Sequence, residues 1–451
     1  MPLSPDSPNK LNAILVAVQL PGVSDAEHAA SLAELQRLVA TLGLNAIAQL
    51  SQKRRSPSTG SVVGQGKLKE LASWTGGTGI IIGFRKEGFV DEDEVDPSES
   101  SELEPEDHKE KAAVVVFDCE ISPTQLRNIE EATGVEVLDR SGVILEIFSR
   151  HARSREARLQ VEIAKLAYMA PRMRASHVGG DRQGGGIGSK GSGESAHELD
   201  SRRIRDRIAE LKQQLDSIRQ EQITRRSNRS ESRCVALVGY TNAGKSSLMR
   251  ALTGSEVFVA DKLFATLDTT VRSMQPESTP RILISDTVGF IKKLPHDLVA
   301  SFRSTLDEAL AASLLLFTVD VSDPTFRSQL ALTQAVLKDI GADQAASRIV
   351  LNKIDNLTED HLAALRLEFP EAIFISTRRP DDIDRIRSLI IEFFEADMVE
   401  EIILVPYTQG QVLGAIRARA KVLNETYEEE GTYVTVKAHS DVLDWIRKQF
   451  A

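Results

Sequence analysis

Gly239, Gly244, Lys245 and Ser246 stand at G-x-x-x-x-G-K-S spacing within "CVALVGYTNAGKSSLMRAL", after a β-branched run and before a helical one. Such glycines let the backbone N–H groups of Tyr240, Thr241, Asn242 and Ala243 converge on phosphate oxygens, and the following helix adds its N-terminal dipole. Lys245 can then neutralise β- and γ-phosphates, and the Ser246 hydroxyl, with Ser247 beside it, can reach a Mg2+ ion. Asp286 closes the apolar strand "RILISD" 41 residues after Lys245, where a carboxylate can hold the hydration shell of that ion. Thr287, Val288 and Gly289 follow. The N–H of Gly289 can meet a γ-phosphate, so that the segment shifts when that phosphate leaves. "RIVLNKID" places Asn352, Lys353 and Asp355 at the end of a further strand. A carboxylate at Asp355 can accept two parallel bonds from guanine N1–H and the 2-amino group. Adenine offers neither donor, and its binding would leave a buried carboxylate unpaired. "FISTRR" then brings Ser376 and Thr377, with the Ser376 backbone toward the guanine O6. In this order the motifs specify binding of GTP with Mg2+ and its hydrolysis to GDP, with Lys245 and Gly289 in the catalytic set.

One residue breaks the pattern. Phe290 follows Gly289, and a phenyl ring cannot hold an attacking water by hydrogen bonding. An inserted catalytic group contributes ~10³–10⁵ in rate, so the expectation is slow intrinsic hydrolysis that a partner stimulates. A threonine that ligates Mg2+ and the γ-phosphate must lie between Lys245 and Asp286. "KLFATLDTTVRSM" offers Thr266, Thr269 and Thr270, and spacing does not choose among them. Upstream, "SVVGQGKLKE" also joins Gly66 to Lys67, but the first glycine of a phosphate loop would fall on Ser61, so it reads as a glycine turn into a helix.

These motifs need an α/β scaffold. Residues 1–140 alternate short β-branched runs ("AILVAVQL", "GIIIGF", "AAVVVFD", "VEVLD") with helical stretches, which predicts an N-terminal α/β domain with a mostly parallel sheet. Ser122 with Gln125 reads as a capping box, and Gly134 as a helix stop. The insert 91–111 carries eleven acids against two lysines and reads as a solvated loop. Residues 141–232 hold two long helical patterns, 141–173 and 194–222, joined by a glycine-rich stretch at 175–193, the pattern of an antiparallel hairpin. Strand–helix alternation returns over 233–397, the segment with the nucleotide motifs. Residues 398–451 read as a small α+β domain: strand, helix through "AKVL", strand, helix.

The chain has 451 residues, 41% apolar, 27% charged and a net charge of −11, which suits several soluble domains and not a simple nucleic-acid-coating protein. Yet residues 150–233 hold nineteen Lys/Arg against eleven Asp/Glu, an excess of eight positive charges that points to a polyanion. Cys119 and Cys234 are too few for a disulfide framework, and both read as small buried hydrophobes in a reducing compartment. No stretch approaches ~18 uncharged apolar residues.

Long runs across all of these segments resemble the HflX GTPases, of the Obg–HflX group of P-loop GTPases. They include "VLDRSGVILEIFSRHARSREARLQVEIAKL", "GGGIGSKGSGE", "RRIRDRIAELK", "ADKLFATLD" and "DTVGFIKKLPHDLVASFRSTLDEA". The resemblance favours Thr266, in "FATLD", as the switch threonine on Mg2+, and sets Phe264 and Ala265 beside the nucleotide. Thr269 stands where that family usually has proline. The resemblance further implies a protein that binds the large (50S) ribosomal subunit and its RNA through the N-terminal domain and hairpin, and splits stalled or idle ribosomes when GTP is bound. It would be a monomer when free and cytoplasmic, with some membrane association allowed but no membrane required. A GTPase that checks large-subunit maturation without splitting is the alternative. An ATP-dependent RNA remodeller finds no second phosphate loop.

Overall fold

β-branched runs too short for helices become parallel strands in both halves of the chain. The computed structural model describes residues 11–58, 60–81, 108, 110–177, 196–227, 233–254, 263–264, 270–279, 281–292 and 310–450. Two units arise, one from the chain up to Arg219 together with Leu263 and Phe264, the other from most of the remainder.

In the first unit β1 (Asn12–Gln19), β2 (Asn45–Lys53), β3 (Val114–Phe117) and β4 (Glu136–Asp139) pair in the order β2-β1-β3-β4, all parallel. Helices α1 (Asp25–Thr41), α2 (Gln65–Thr75), α3 (Pro123–Thr133) and α4 (Arg140–His151) connect and follow them. Ile14, Val16, Val115, Phe117 and Ile129 meet in its core. Ser122 and Gln125 form a reciprocal capping box on α3, and Gly134 ends that helix at φ 71°. A second capping box joins Ser24 to Glu27 at the start of α1.

Two expectations change in this unit. "GIIIGF" is not a strand in its described part, and Ile80 is 54% exposed. The missing strand is β2, "NAIAQLSQK", which lies at the sheet edge and is only partly buried, so few of its positions need to be apolar. The helical pattern 141–173 is not one helix. The chain turns extended at Ala152 (ψ 107°), and α5 (Arg155–His177) starts afresh where Ser154 Oγ accepts from the Ala157 N–H at 3.0 Å. The acidic insert lies mostly outside the described residues, which include only its His108, Glu110 and Lys111; His108 stacks on Trp74.

α5 packs along α6 (Ala196–Ser227) through Leu159, Ile163, Leu211 and Leu215, with Arg207 bonded across to Glu162 at 2.9 Å. Most of the glycine-rich stretch between them lies outside the described residues. The hairpin is rooted on the sheet by buried ions. Asp139 caps α4 by accepting from the Gly142 N–H at 2.7 Å, and also accepts from Tyr168 Oη and Arg172 Nη2, each at 2.6 Å. Burial, followed by the nearby Asp139 charge, pushes the Tyr168 phenol far above its ordinary range, so it stays a donor. Next to it Arg140, 1% exposed, donates to Asp118 at 2.6 Å and to Glu34.

The second unit has a six-stranded sheet. It contains β5 (Arg233–Gly239), β6 (Thr270–Ser273), β7 (Ile282–Asp286), β8 (Leu314–Asp320), β9 (Ala346–Asn352) and β10 (Ile373–Phe374) in the order β10-β9-β8-β5-β7-β6. All pairs are parallel except β6 with β7. Helices α7 (Lys245–Thr253), α8 (Phe326–Asp339), α9 (Glu359–Glu368) and α10 (Pro380–Glu395) follow the strands, and Val235, Leu237, Leu248, Ile284, Leu316 and Ile386 share one core. The chain ends in an antiparallel sheet, β11 (Val399–Val405), β12 (Lys421–Glu428) and β13 (Gly431–Ala438), ordered β11-β13-β12, with α11 (Gly410–Arg419) and α12 (Ser440–Phe450). β12 was not expected: "KVL" leaves the helix because Ala420 is already extended (φ −119°, ψ 149°). Among the described residues no helix is long and apolar enough to cross a membrane.

Replacing Arg140 by Met removes the buried guanidinium that Glu34 and Asp118 share. Breaking such a set from one side costs about 3–5 kcal/mol. Urea denaturation of Arg140→Met should therefore show a lowered midpoint, with an unchanged slope.

Candidate functional site

β5 sits where the sheet order reverses, with β7 on one side and β8 on the other. In open parallel sheets the crevice beyond the carboxyl ends at that point is where ligands bind. Gly239, Asp286 and Asn352 end three of these strands.

Gly239 leaves β5 at φ 154°, and a Cβ there would lie 2.2 Å from the Thr318 carbonyl oxygen. The loop then turns through Asn242 (φ 60°) and Gly244 (φ 93°) into α7. Alternation with left-handed residues aims successive N–H groups into one concavity, the form that cradles anions. Gly244 is required for a second reason, since a Cβ there would meet Asn352 Nδ2 at 2.2 Å. Tyr240, Thr241 and Ala243 are all buried.

Lys245 opens α7 and folds back over the loop, its Nζ donating to the carbonyls of Gly239 (3.0 Å) and Tyr240 (2.8 Å). Burial pulls its pKa down from 10.5 to about 8, with Asp286 opposing the shift. Ser246 Oγ donates to Asp286 Oδ2 at 2.7 Å. A hydroxyl and a carboxylate, both hard oxygen donors, thus face each other at the foot of α7. That donor set fits Mg2+, which takes few protein ligands and keeps waters. Ser247 follows in the same helical turn, partly buried.

The D-x-x-G segment lies against the loop. Thr287 is fully buried and donates to the Leu237 carbonyl at 2.8 Å, so its side chain braces β5. Val288 is buried. A Cβ on Gly289 would come within 2.9 Å of Thr241 Cα and 3.1 Å of Lys245 Nζ, so only glycine passes here without a shift. Phe290 is 4% exposed, and its main chain bonds to the loop on both sides: its N–H to Gly239 O (3.1 Å), its carbonyl to the Thr241 N–H (2.8 Å). The ring therefore belongs to the interior, a placement the sequence did not reveal.

At the third strand end, Asn352 is fully buried and ties two loops together. Its Nδ2 donates to the Ala243 carbonyl at 2.9 Å, and its Oδ1 accepts from the Thr377 N–H at 3.3 Å. Lys353, left-handed at φ 64°, pairs with Asp320 at 2.6 Å. The Asp355 carboxylate accepts from Ser376 Oγ at 2.7 Å and from Arg378 Nη1 at 3.1 Å. Burial alone would push that carboxyl up, but the Ser376 and backbone hydrogen bonds, with the Arg378 guanidinium, outweigh it and hold its pKa below the ordinary value. The N–H of Ser376, expected at the guanine O6, donates instead to Asp382 Oδ2 at 2.8 Å.

Three expected positions remain, Phe264, Ala265 and Thr266. Ala265 and Thr266 lie outside the described residues. Phe264 is buried in the first unit, its ring edge-on to Phe148 with centroids 4.6 Å apart. Asp320, Asp382 and the side chain of Tyr240 were not foreseen, because nothing local in the sequence says which loop each would meet.

Known proteins match along nearly the whole chain. A family described as "GTP-binding GTPase N-terminal" matches residues 29–106 and 97–149, "GTP-binding GTPase Middle Region" matches 151–229, and "50S ribosome-binding GTPase" matches 234–353. "GTPase HflX" of Gluconacetobacter diazotrophicus is 54% identical over 446 residues, covering 97% of this chain and 98% of that one. The relative of the same name from Caldanaerobacter subterraneus is 36% identical over 97% of this chain and 94% of its own. The one from Escherichia coli is 32% identical over 96% and 95%.

The Lys245 shift has a measurable sign. Its folded pKa lies below that of an unfolded lysine, so between pH 8 and 10.5 the unfolded chain holds more proton, and this group's contribution to stability rises with pH across that window. A phosphate beside Nζ restores the charged form. Nucleotide binding near pH 8.5 should take up a fraction of a proton, and binding near pH 6.5 none at this group. Calorimetric titration in buffers of different ionisation enthalpy checks it.

Proposed function

This chain belongs to the HflX family of GTPases, and on that premise we propose that it couples GTP hydrolysis to association with the large ribosomal subunit, separating or rescuing stalled or idle ribosomes. The observation that carries the GTPase half is the joining of three loops at the carboxyl end of one sheet. Asn352 binds the glycine loop to the 376–377 turn, and the Phe290 main chain binds it to the D-x-x-G segment. Base, phosphate chain and γ-phosphate would then be read by one connected frame.

The roles follow from the chemistry. Lys245 holds β- and γ-phosphate charge, backbone N–H groups within residues 242–246 donate to phosphate oxygens, and the Gly289 N–H senses the γ-phosphate. Mg2+ would be held by Ser246 and Thr266, with Asp286 on its waters; when bound it neutralises charge shared by the β- and γ-phosphates. Asp355 reads guanine. Its two oxygens carry about four lone-pair sites, so the bonds from Ser376 and Arg378 leave room for the two guanine donors.

Support for the ribosomal half is of two kinds. The family whose description names the 50S ribosome matches residues 234–353. Independently, residues 150–233 carry an excess of eight positive charges in an acidic chain, the charge asymmetry that RNA phosphates favour. Light scattering of 70S ribosomes with a non-hydrolysable GTP analogue should fall on adding the protein, and the Lys245→Ala variant should leave it flat. Unchanged scattering with wild-type protein that still pellets with 50S subunits would favour the maturation-factor reading.

Base selection has its own test. In Asp355→Asn the carboxylate that takes two guanine donors becomes an amide, which suits the C2 carbonyl of xanthine. Fluorescent-nucleotide titration should show GTP affinity lowered about 10- to 100-fold, the range for losing hydrogen bonding to a charged group, with xanthosine triphosphate bound more tightly than by wild type.

A further inference from the structure

Phe290 leaves open which group fixes the hydrolytic geometry after Gly289. Its buried ring cannot orient water, so the main chain of residues 289–292 is what this segment presents. Three hydrogen bonds hold that main chain to the glycine loop. Two are backbone to backbone, Phe290 N–H to Gly239 O at 3.1 Å and Thr241 N–H to Phe290 O at 2.8 Å. The third is made by a side chain: Tyr240 Oη accepts from the Lys292 N–H at 2.6 Å, across 52 residues of sequence. Tyr240 itself is 5% exposed and forms a parallel bridge with Phe290.

We infer that Tyr240 is a positioning residue for GTP hydrolysis, its hydroxyl fixing the backbone that follows Gly289. The buried ring cannot stack on a nucleotide in the open crevice, so its effect must pass through what its hydroxyl holds. That effect falls on the segment that carries the Gly289 N–H, three residues before Lys292. With a polar side chain after the glycine, a loosely held backbone could be compensated by side-chain rotation. Phe290 offers no such compensation, so backbone placement sets the rate. The ground-state cradle for the α- and β-phosphates is made by residues 241–246 and does not require the Tyr240 hydroxyl. Tyr240 should therefore act on the chemical step and leave affinity alone.

The inference rests on the GTPase reading, and the test separates the two. Single-turnover GTP hydrolysis, fluorescent-GTP affinity and thermal midpoint are measured on the full chain, with and without 50S subunits. Tyr240→Phe keeps the ring and removes the acceptor of the Lys292 N–H; the expected loss in hydrolysis rate is about three- to tenfold, the range for such a bond, with affinity within about twofold and the midpoint unchanged. Lys292→Ala keeps the N–H and should behave as wild type. Lys292→Pro removes the N–H and should slow hydrolysis, and the double variant Tyr240→Phe/Lys292→Pro should be no slower than Lys292→Pro alone. A Tyr240→Phe chain that hydrolyses GTP at the wild-type rate overturns the inference, as do fully additive effects in the double variant or equal losses of rate and affinity. Wild-type chain that binds GTP and hydrolyses none, even with 50S subunits, overturns the GTPase reading beneath it.

Discussion

The carbonyl oxygen of Gly239 accepts from both Lys245 Nζ and the Phe290 N–H, at 3.0 and 3.1 Å. One peptide group therefore sets the position of the loop's cation and the register of the segment that follows Asp286. That peptide can stand where it does only because residue 239 lacks a Cβ, whose place is taken by the Thr318 carbonyl on the neighbouring strand. The rest of the site inherits this constraint. Asp286 ends the adjacent strand opposite Ser246, and Asn352 reaches the loop from the strand beyond β8. A close approach of β5 to β8, permitted by a missing methyl group, comes before any catalytic residue in the order of causes.

The first unit solves a different problem with a different device. A long helical pair must leave a small sheet at a fixed angle, and apolar contacts are tolerant of small rotations. Asp139 accepts from the Gly142 N–H in the first turn of α4, a phenol and a guanidinium together, while Arg140 is held by Asp118 and Glu34. Removing such ions from water costs much of what their pairing returns, so a directional role explains them better than a stabilising one. Gly142 adds a steric lock, since a Cβ there would lie 2.7 Å from the Tyr168 hydroxyl.

What could be read in advance was what is local. The nucleotide motifs, the Ser122–Gln125 box and the Gly134 stop are each defined within a few residues, and their geometry follows from those residues alone. The strand β2 escaped notice because an edge strand with one partly wet face carries Gln49 and Ser51 where an inner strand would carry valines. The break between α4 and α5 was masked because apolar spacing continues through it, while the signal was a single capping serine, Ser154. Long-range partners were the least legible. Nothing near Phe264 names Phe148, and nothing near Tyr240 names Lys292; each pairing exists only after distant elements have packed.

Asn352 works as a gauge. Its amide, buried and held at both ends, spans from the Ala243 carbonyl to the Thr377 N–H. The spacing between the turn beside Asp355 and the glycine loop is thereby set by the length of one side chain, not by two loops that can drift apart. A longer amide at this position would widen the frame by one methylene and a shorter hydroxyl would release it. Shifts on either side of the crevice are therefore coupled: a backbone shift near Ala243 has to be answered near Thr377, or the gauge no longer measures one ligand.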